Sequence, residues 1–264
     1  MFSSLKFAGY CLRKNLQNSA ELRTSFLLNV LGMVLNDVAV VIIWFLFAKA
    51  FGDINGWRAI DIIALHGFVA GSFGLVLGPL AGLSRMGDTI SSGKFDQYLV
   101  SPKPLLLRVG LSQVSVSALG DIVFGGMALI FYAILAELSG GQVLLLLGGL
   151  VVSVTMFLAV LVSAKSASFF FSDGESIGNG LFEFFLTPSL FHSGAVQGQM
   201  RLFFTFVVPS LLVGGIPVEV IREGSVLKLI VIAMLAIFWL FLSLRIFAAG
   251  VRRYESSNFM TFGQ

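Results

Sequence analysis

Asp37, His66 and Asp121 are the residues whose chemistry stands out, because each interrupts a long run of uncharged, mostly apolar side chains. A charge at mid-bilayer costs about 2.5–3.5 kcal/mol on insertion scales, so ionisable groups in such runs face a bundle interior or water. Two roles are open to them. One is a proton relay; the other, preferred because it asks less of the residues, is interhelical hydrogen bonding, with Asn36 and Ser117 near the two aspartates as local company. Catalytic equipment is otherwise sparse. His66 and His192 stand far apart in sequence, and no Cys/His/carboxylate cluster has the spacing of metal ligands. There is no Gly-x-Ser-x-Gly elbow and no Gly-x4-Gly-Lys-Ser/Thr phosphate loop; the near-match at Gly93-Lys94 fails because Phe95 follows and position 88 is Asp. No catalytic residue, metal site or cofactor is expected on this chain.

The elements that carry these residues are membrane helices. No side chain between Asp61 and Arg85, or from Gln142 to Ala164, bears a full charge. A hydrocarbon core of about 30 Å needs roughly 20 helical residues, and these stretches meet that length. Of the 264 residues 57% are hydrophobic and 12% charged, against about a quarter charged in soluble domains, which places the chain in the membrane class. The formal charge of +3 is too small to suggest nucleic-acid binding and reads as topology. The first 25 residues lack a continuous apolar run, so no cleavable signal peptide is expected. The lone cysteine, Cys11, cannot form an internal disulfide and belongs to a segment expected in the reducing cytoplasm.

Residues 1–23 read as an amphipathic interfacial helix, with Leu5, Ala8, Gly9, Leu12, Leu16 and Ala20 opposite Lys6, Arg13, Lys14 and Gln17. Spanning helices are expected at 26–48, 62–83, 109–135, 143–165 and 228–247. Two readings fit 176–218: either 177–196 spans and 202–218 dips back as a re-entrant hairpin, or 202–218 spans alone. The first is favoured, because Pro209, Pro217 and the pair Gly214-Gly215 suit a broken helix, so 184–218 holds the end of the fifth span and a re-entrant segment. Both give six crossings in a single all-α membrane domain. With the N-terminus inside, twelve Lys and Arg lie on cytoplasmic segments, and five (Lys49, Arg58, Arg201, Arg222, Lys228) lie on the other side. That bias, together with an even span count, puts both termini in the cytoplasm.

Gly67, Gly71, Gly74, Gly78 and Gly82 fall near one face of the second span and predict a tight helix seam, inside the subunit or at a dimer interface. The polar segment 84–104 is longer than a turn and mixes charge with Ile90, Phe95, Tyr98, Leu99 and Val100; it fits either a docking element for a partner or a solvated connector.

The run Ile90-x-x-Gly93-x-x-Asp96-x-x-Leu99-x-x-Pro102-x-Pro104 resembles the signature of permease subunits of the type-2, export-type ABC transporter family. So do Arg201-x7-Val208-Pro209 leading to Ile216-Pro217, and the tail Gly250-Val251-Arg252-Arg253-Tyr254-Glu255-Ser256. The resemblance covers nearly the whole chain in length, span count and motif order; Phe171-Ser172-Asp173-Gly174-Glu175-Ser176 is more polar than the family pattern. It implies an inner-membrane subunit that works with two separate cytoplasmic ATPases, which bind the ATP and Mg. It also implies a second permease, identical or different, and gives 84–104 the part of the coupling helix through Ile90, Gly93, Asp96, Leu99, Pro102 and Pro104. Lipid-like or drug-like substrates would pass outward along an apolar seam in contact with membrane lipid. A proton-coupled secondary transporter using Asp37 and Asp121 is the alternative, although six spans without an inverted repeat match those folds weakly.

Overall fold

The computed structural model describes residues 2–51, 56–100 and 102–254; Ser101 of the loop run and Glu255-Ser256 of the tail motif lie outside them, as does the Leu5 side chain. Its helices are α1 (Phe2–Ala20), α2 (Arg23–Phe51), α3 (Ala59–Leu80), α4 (Met86–Ser91), α5 (Asp96–Leu99), α6 (Leu105–Gly110), α7 (Ser117–Leu135), α8 (Gly140–Lys165), α9 (Gly174–Ser189), α10 (Gly198–Leu202), α11 (Gly215–Glu223) and α12 (Val226–Arg253). No strand occurs among the described residues. In these, α2, α3, α7, α8 and α12 are long and apolar enough to cross a membrane. The protein is a multi-pass membrane protein.

α3 is the axis of the bundle. It lies along α7 and is flanked by α2, α8 and α11, while α12 packs on α8. The glycine stripe explains the closest of these contacts. A Cβ at Gly74 would stand 2.6 Å from the Ile122 nitrogen and 2.7 Å from the Ala118 oxygen, and one at Gly125 only 2.5 Å from the Gly71 Cα. The two backbones therefore touch, as small residues permit in lipid. The seam lies inside the subunit, between α3 and α7. Gly82 belongs to a different contact, against the Val109 and Gly110 carbonyls at the end of α6, and Gly78 meets only the tips of Ile122 and Leu119.

Sequence patterns place most helix ends well. Ser139 and Gln142 form a capping box that starts α8, and Ser225 caps α12 by accepting from the Lys228 N–H. The third span is a correction: the expected 109–135 is broken, since α6 stops at Gly110 and α7 begins at Ser117. Arg108 is turned back to donate to the Tyr98 and Gln97 carbonyls, which ties α6 to the loop rather than to the span. Between α8 and α12 no single helix reaches spanning length. α9 holds 16 residues, about 24 Å, and ends at Pro188-Ser189. The chain continues through α10, a π turn at Phe203–Val207, a 3-10 turn at Ser210–Leu212 and α11, whose exit is turned by Gly224 at φ +62. The irregular backbone of 209–214 is buried with Leu211, Leu212 and Val213.

Candidate functional site

α2, α3, α7 and α9 bring the three intramembrane ionisable residues to one cavity of about 340 Å3, although they are dispersed in sequence. Asp37 comes from the middle of α2, His66 from α3 and Asp121 from near the start of α7. Gly120 lets α2 reach the start of α7, since a Cβ there would stand 2.6 Å from the Val30 carbonyl. The Asp37 and Asp121 carboxyl groups then come within hydrogen-bonding reach of each other, with the Asn36 amide on Asp37. Ser117 is not part of this group; its hydroxyl sits 3.2 Å from that of Ser115. Asp121 is 3% and His66 5% exposed, yet Asp121 Oδ2, His66 Nε2 and Asp37 Oδ2 have no hydrogen-bond partner.

The segment 84–104 is folded, not a loose connector. Phe95 is fully buried in a ring cluster with Phe169 beyond the end of α8 (5.2 Å between centroids), Tyr254 after α12 (5.1 Å) and Tyr98 (6.4 Å). Phe247 of α12 stacks edge-on against Phe169 at 5.8 Å. Gly250 exists for this cluster, since a Cβ there would stand 2.6 Å from the Phe169 ring. Burial and the adjacent Asp96 carboxylate push the Tyr254 phenol up to about 12, so it stays a neutral donor facing Asp96. Gly93 adopts φ +70, which lets the chain turn from α4 into α5. Ile90 packs on the core, whereas Leu99 is 45% and Val100 86% exposed, and Pro102 and Pro104 are on the surface. The six residues of the loop run thus divide between an anchored side and an outward side. Nearby, hydrogen bonding to Asp88, then burial, raises Glu175 at the start of α9, joining α4 to α9 through a carboxyl pair. α1 is tied to this end of the bundle, where Asn15 Nδ2 donates to the Leu111 carbonyl at 2.9 Å; its Lys6, Arg13 and Lys14 are exposed.

Two charge networks at the opposite end escape sequence reasoning. Asp61, fully buried, accepts from the Arg58 N–H (2.9 Å) and the Tyr132 hydroxyl (3.2 Å) and pairs with Arg222 at 3.5 Å. Glu219 of α11 binds Arg201 at 2.7 Å and Lys228 at 3.1 Å and accepts from Ser193. Burial alone would raise Glu219, but Ser193, Lys228 and Arg201 outweigh it and hold the carboxyl below its ordinary value. Arg201, Glu219, Arg222 and Lys228 line a cavity of about 500 Å3 together with Trp57.

The family model described as "ABC-2 family transporter protein" matches residues 34–258. The chain belongs to the ABC-2 family of transporter proteins. Neither the comparison with curated proteins nor that with solved structures returns a match. The ABC-2 match runs from within α2 through α12, so Asp37, His66 and Asp121, the loop run and the outer networks all lie within it. A subunit of this family is a transport component of the membrane and works with ATPase partners. In this ABC-2 subunit, sequence spacing located Asp37, His66 and Asp121 but not their convergence. It missed Asp61, Tyr132, Glu219 and Arg222 because charges at span ends pass for boundary markers. Arg201 and Glu219, both within stretches rich in apolar residues and prolines, carried the one signal that could have found the second network.

Proposed function

We propose that this chain is the permease subunit of an ATP-driven exporter, paired with a second permease and energised by two cytoplasmic ATPase subunits that bind ATP and Mg. The family match carries the reading, and the loop run gives it a mechanism. α5 presents Leu99 and Val100 outward for a groove on an ATPase, while Phe95 on the same segment is held between Phe169, Tyr98 and Tyr254. A push on α5 is therefore delivered through rigid rings to the cytoplasmic ends of α8 and α12, because a close-packed core transmits displacement instead of absorbing it. Nucleotide biases inward and outward states only by its differential affinity for each. Residues 84–104 are the coupling segment in this scheme, with α1 on the inner-membrane surface beside it and both termini cytoplasmic. Residues 184–218 form the fifth span and a re-entrant segment, completing six crossings. The apolar faces of α2 and α12, with Leu35, Ile42, Phe238 and Phe241 exposed, suit lipid and a second permease, and hydrophobic or amphipathic substrates.

The test is affinity purification of the tagged chain from its own cells. An ATPase subunit co-purifies, and the pair Leu99→Asp, Val100→Asp abolishes its association without changing the thermal stability of the chain. Undiminished association of the double variant refutes the coupling role. Energised transport by the chain alone in vesicles would establish the proton-coupled alternative, which the Asp37–Asp121 contact favours.

A further inference from the structure

The cavity between α2, α3, α7 and α9 is built for an occupant. Its walls are largely apolar, with Phe73, Phe124 and Leu186 among them, and its polar side chains are Asn36, Asp37, Asp121 and His66. Asp121 and His66 line this space and are more than nine-tenths buried, and Asp121 Oδ2 and His66 Nε2 have no hydrogen-bond partner. Buried polar atoms normally find partners, and an apolar pocket with a few convergent polar groups is the usual form of a small-molecule site.

The chemistry of the lining selects the ligand. It offers two carboxyl groups and no lysine or arginine, so the complementary charge is positive. Aromatic faces at Phe73 and Phe124 attract a cation further. Among the described residues no three His, Cys, Asp or Glu side chains converge as metal ligands, so the lining suits an organic cation better than a bare metal ion. Asp121 lies level with Gly74, since a Cβ on Gly74 would abut the Ala118 carbonyl and the Ile122 nitrogen on either side of it, whereas His66 is about two turns further along α3. At 1.5 Å per residue, the carboxyl pair and the imidazole mark the two ends of a slot of roughly 10 Å.

We propose that this slot binds an amphipathic organic monocation, such as a protonated amine on an aryl or alkyl tail. The ammonium sits against Asp37 and Asp121, and the tail runs past Phe73 and Phe124 towards His66. The proposal names a substrate class for the permease and rests on that reading for its transport meaning, but binding itself requires no ATPase.

Equilibrium dialysis tests it, using the full chain in lipid nanodiscs with empty nanodiscs as the blank. The probes are radiolabelled 4-phenylbutylamine and 4-phenylbutan-1-ol, which share shape but not charge. The amine is expected to bind at least tenfold more tightly than the alcohol. Asp121→Asn and Asp37→Asn should each weaken the amine tenfold or more and leave the alcohol unchanged. Equal binding of the two probes to the unaltered chain overturns the proposal and needs no variant to fold. Unchanged amine affinity in both aspartate variants overturns it as well. Because no ATPase is present, either failure leaves the permease reading standing, and loss of ATPase association in the earlier test would leave this result untouched.

Discussion

Gly125→Ala is the sharpest perturbation of the fold, because one added methyl meets only backbone. An ideal Cβ at Gly125 lies 2.5 Å from both the Cα and the nitrogen of Gly71 and 2.9 Å from the Gly67 carbonyl, where ordinary contact begins at 3.4 Å. The shortfall is about 0.9 Å, and neither backbone can turn aside as a side-chain tip could, so α3 and α7 must separate by about that amount. Separation loosens the neighbouring Gly67–Ala128 and Gly74–Ala118 contacts in the same seam. Overpacking of this kind costs typically 1–3 kcal/mol, and contact on both flanks puts this case in the upper half. At roughly 2–4 °C per kcal/mol for a chain of about this size, the midpoint should fall by about 4–12 °C. The control is the next residue: a Cβ on Gly126 meets nothing within 4 Å, so Gly126→Ala should be neutral or slightly stabilising through helix propensity. Thermal unfolding in one detergent, followed by tryptophan fluorescence or by retention of the monodisperse peak, compares the two. Equal midpoints for Gly125→Ala and Gly126→Ala would refute the seam.

Three further outcomes follow from the charge and ring clusters. Phe95→Ala removes a fully buried ring from the Phe169–Tyr254 cluster and should cost about 3–5 kcal/mol, seen as early unfolding and as loss of ATPase-coupled transport. Glu219→Gln should cost about 1–2 kcal/mol, less than a fully buried pair would, because Arg201 and Lys228 stay about a third exposed. The Glu219 carboxyl is held below its ordinary 4.5, so its contribution is complete above that pH and vanishes as pH falls through the lowered value. Melting curves from about pH 6 to pH 3 should therefore drop more steeply for the unaltered chain than for Glu219→Gln, and parallel curves would remove Glu219 from the account.

Much of the architecture was legible because lipid imposes a local rule. A backbone in hydrocarbon must satisfy its hydrogen bonds within the helix, so span after span can be read from length and charge without knowing its neighbours. The runs that became α2, α3, α8 and α12 were visible for that reason. The third span misled because 109–116 is apolar enough to continue a helix, whereas Arg108 is held by carbonyls of the loop across a turn. Residues 176–218 stayed open because prolines report a break without reporting where the broken pieces pack.

Composition and charge spacing on their own determined a membrane-embedded helical chain, the ionisable residues Asp37, His66 and Asp121 within its apolar runs and the polar segment 84–104. Only the tertiary structure decided which of these meet. Asp37 reaches Asp121 because Gly120 lets α2 approach α7, and Phe95 reaches Tyr254 because α12 returns to the end of the bundle that holds α5. A helix fixes which residues share its face, but the rotation and height at which two helices pack are set by contacts between residues far apart in the chain, and no local pattern encodes them.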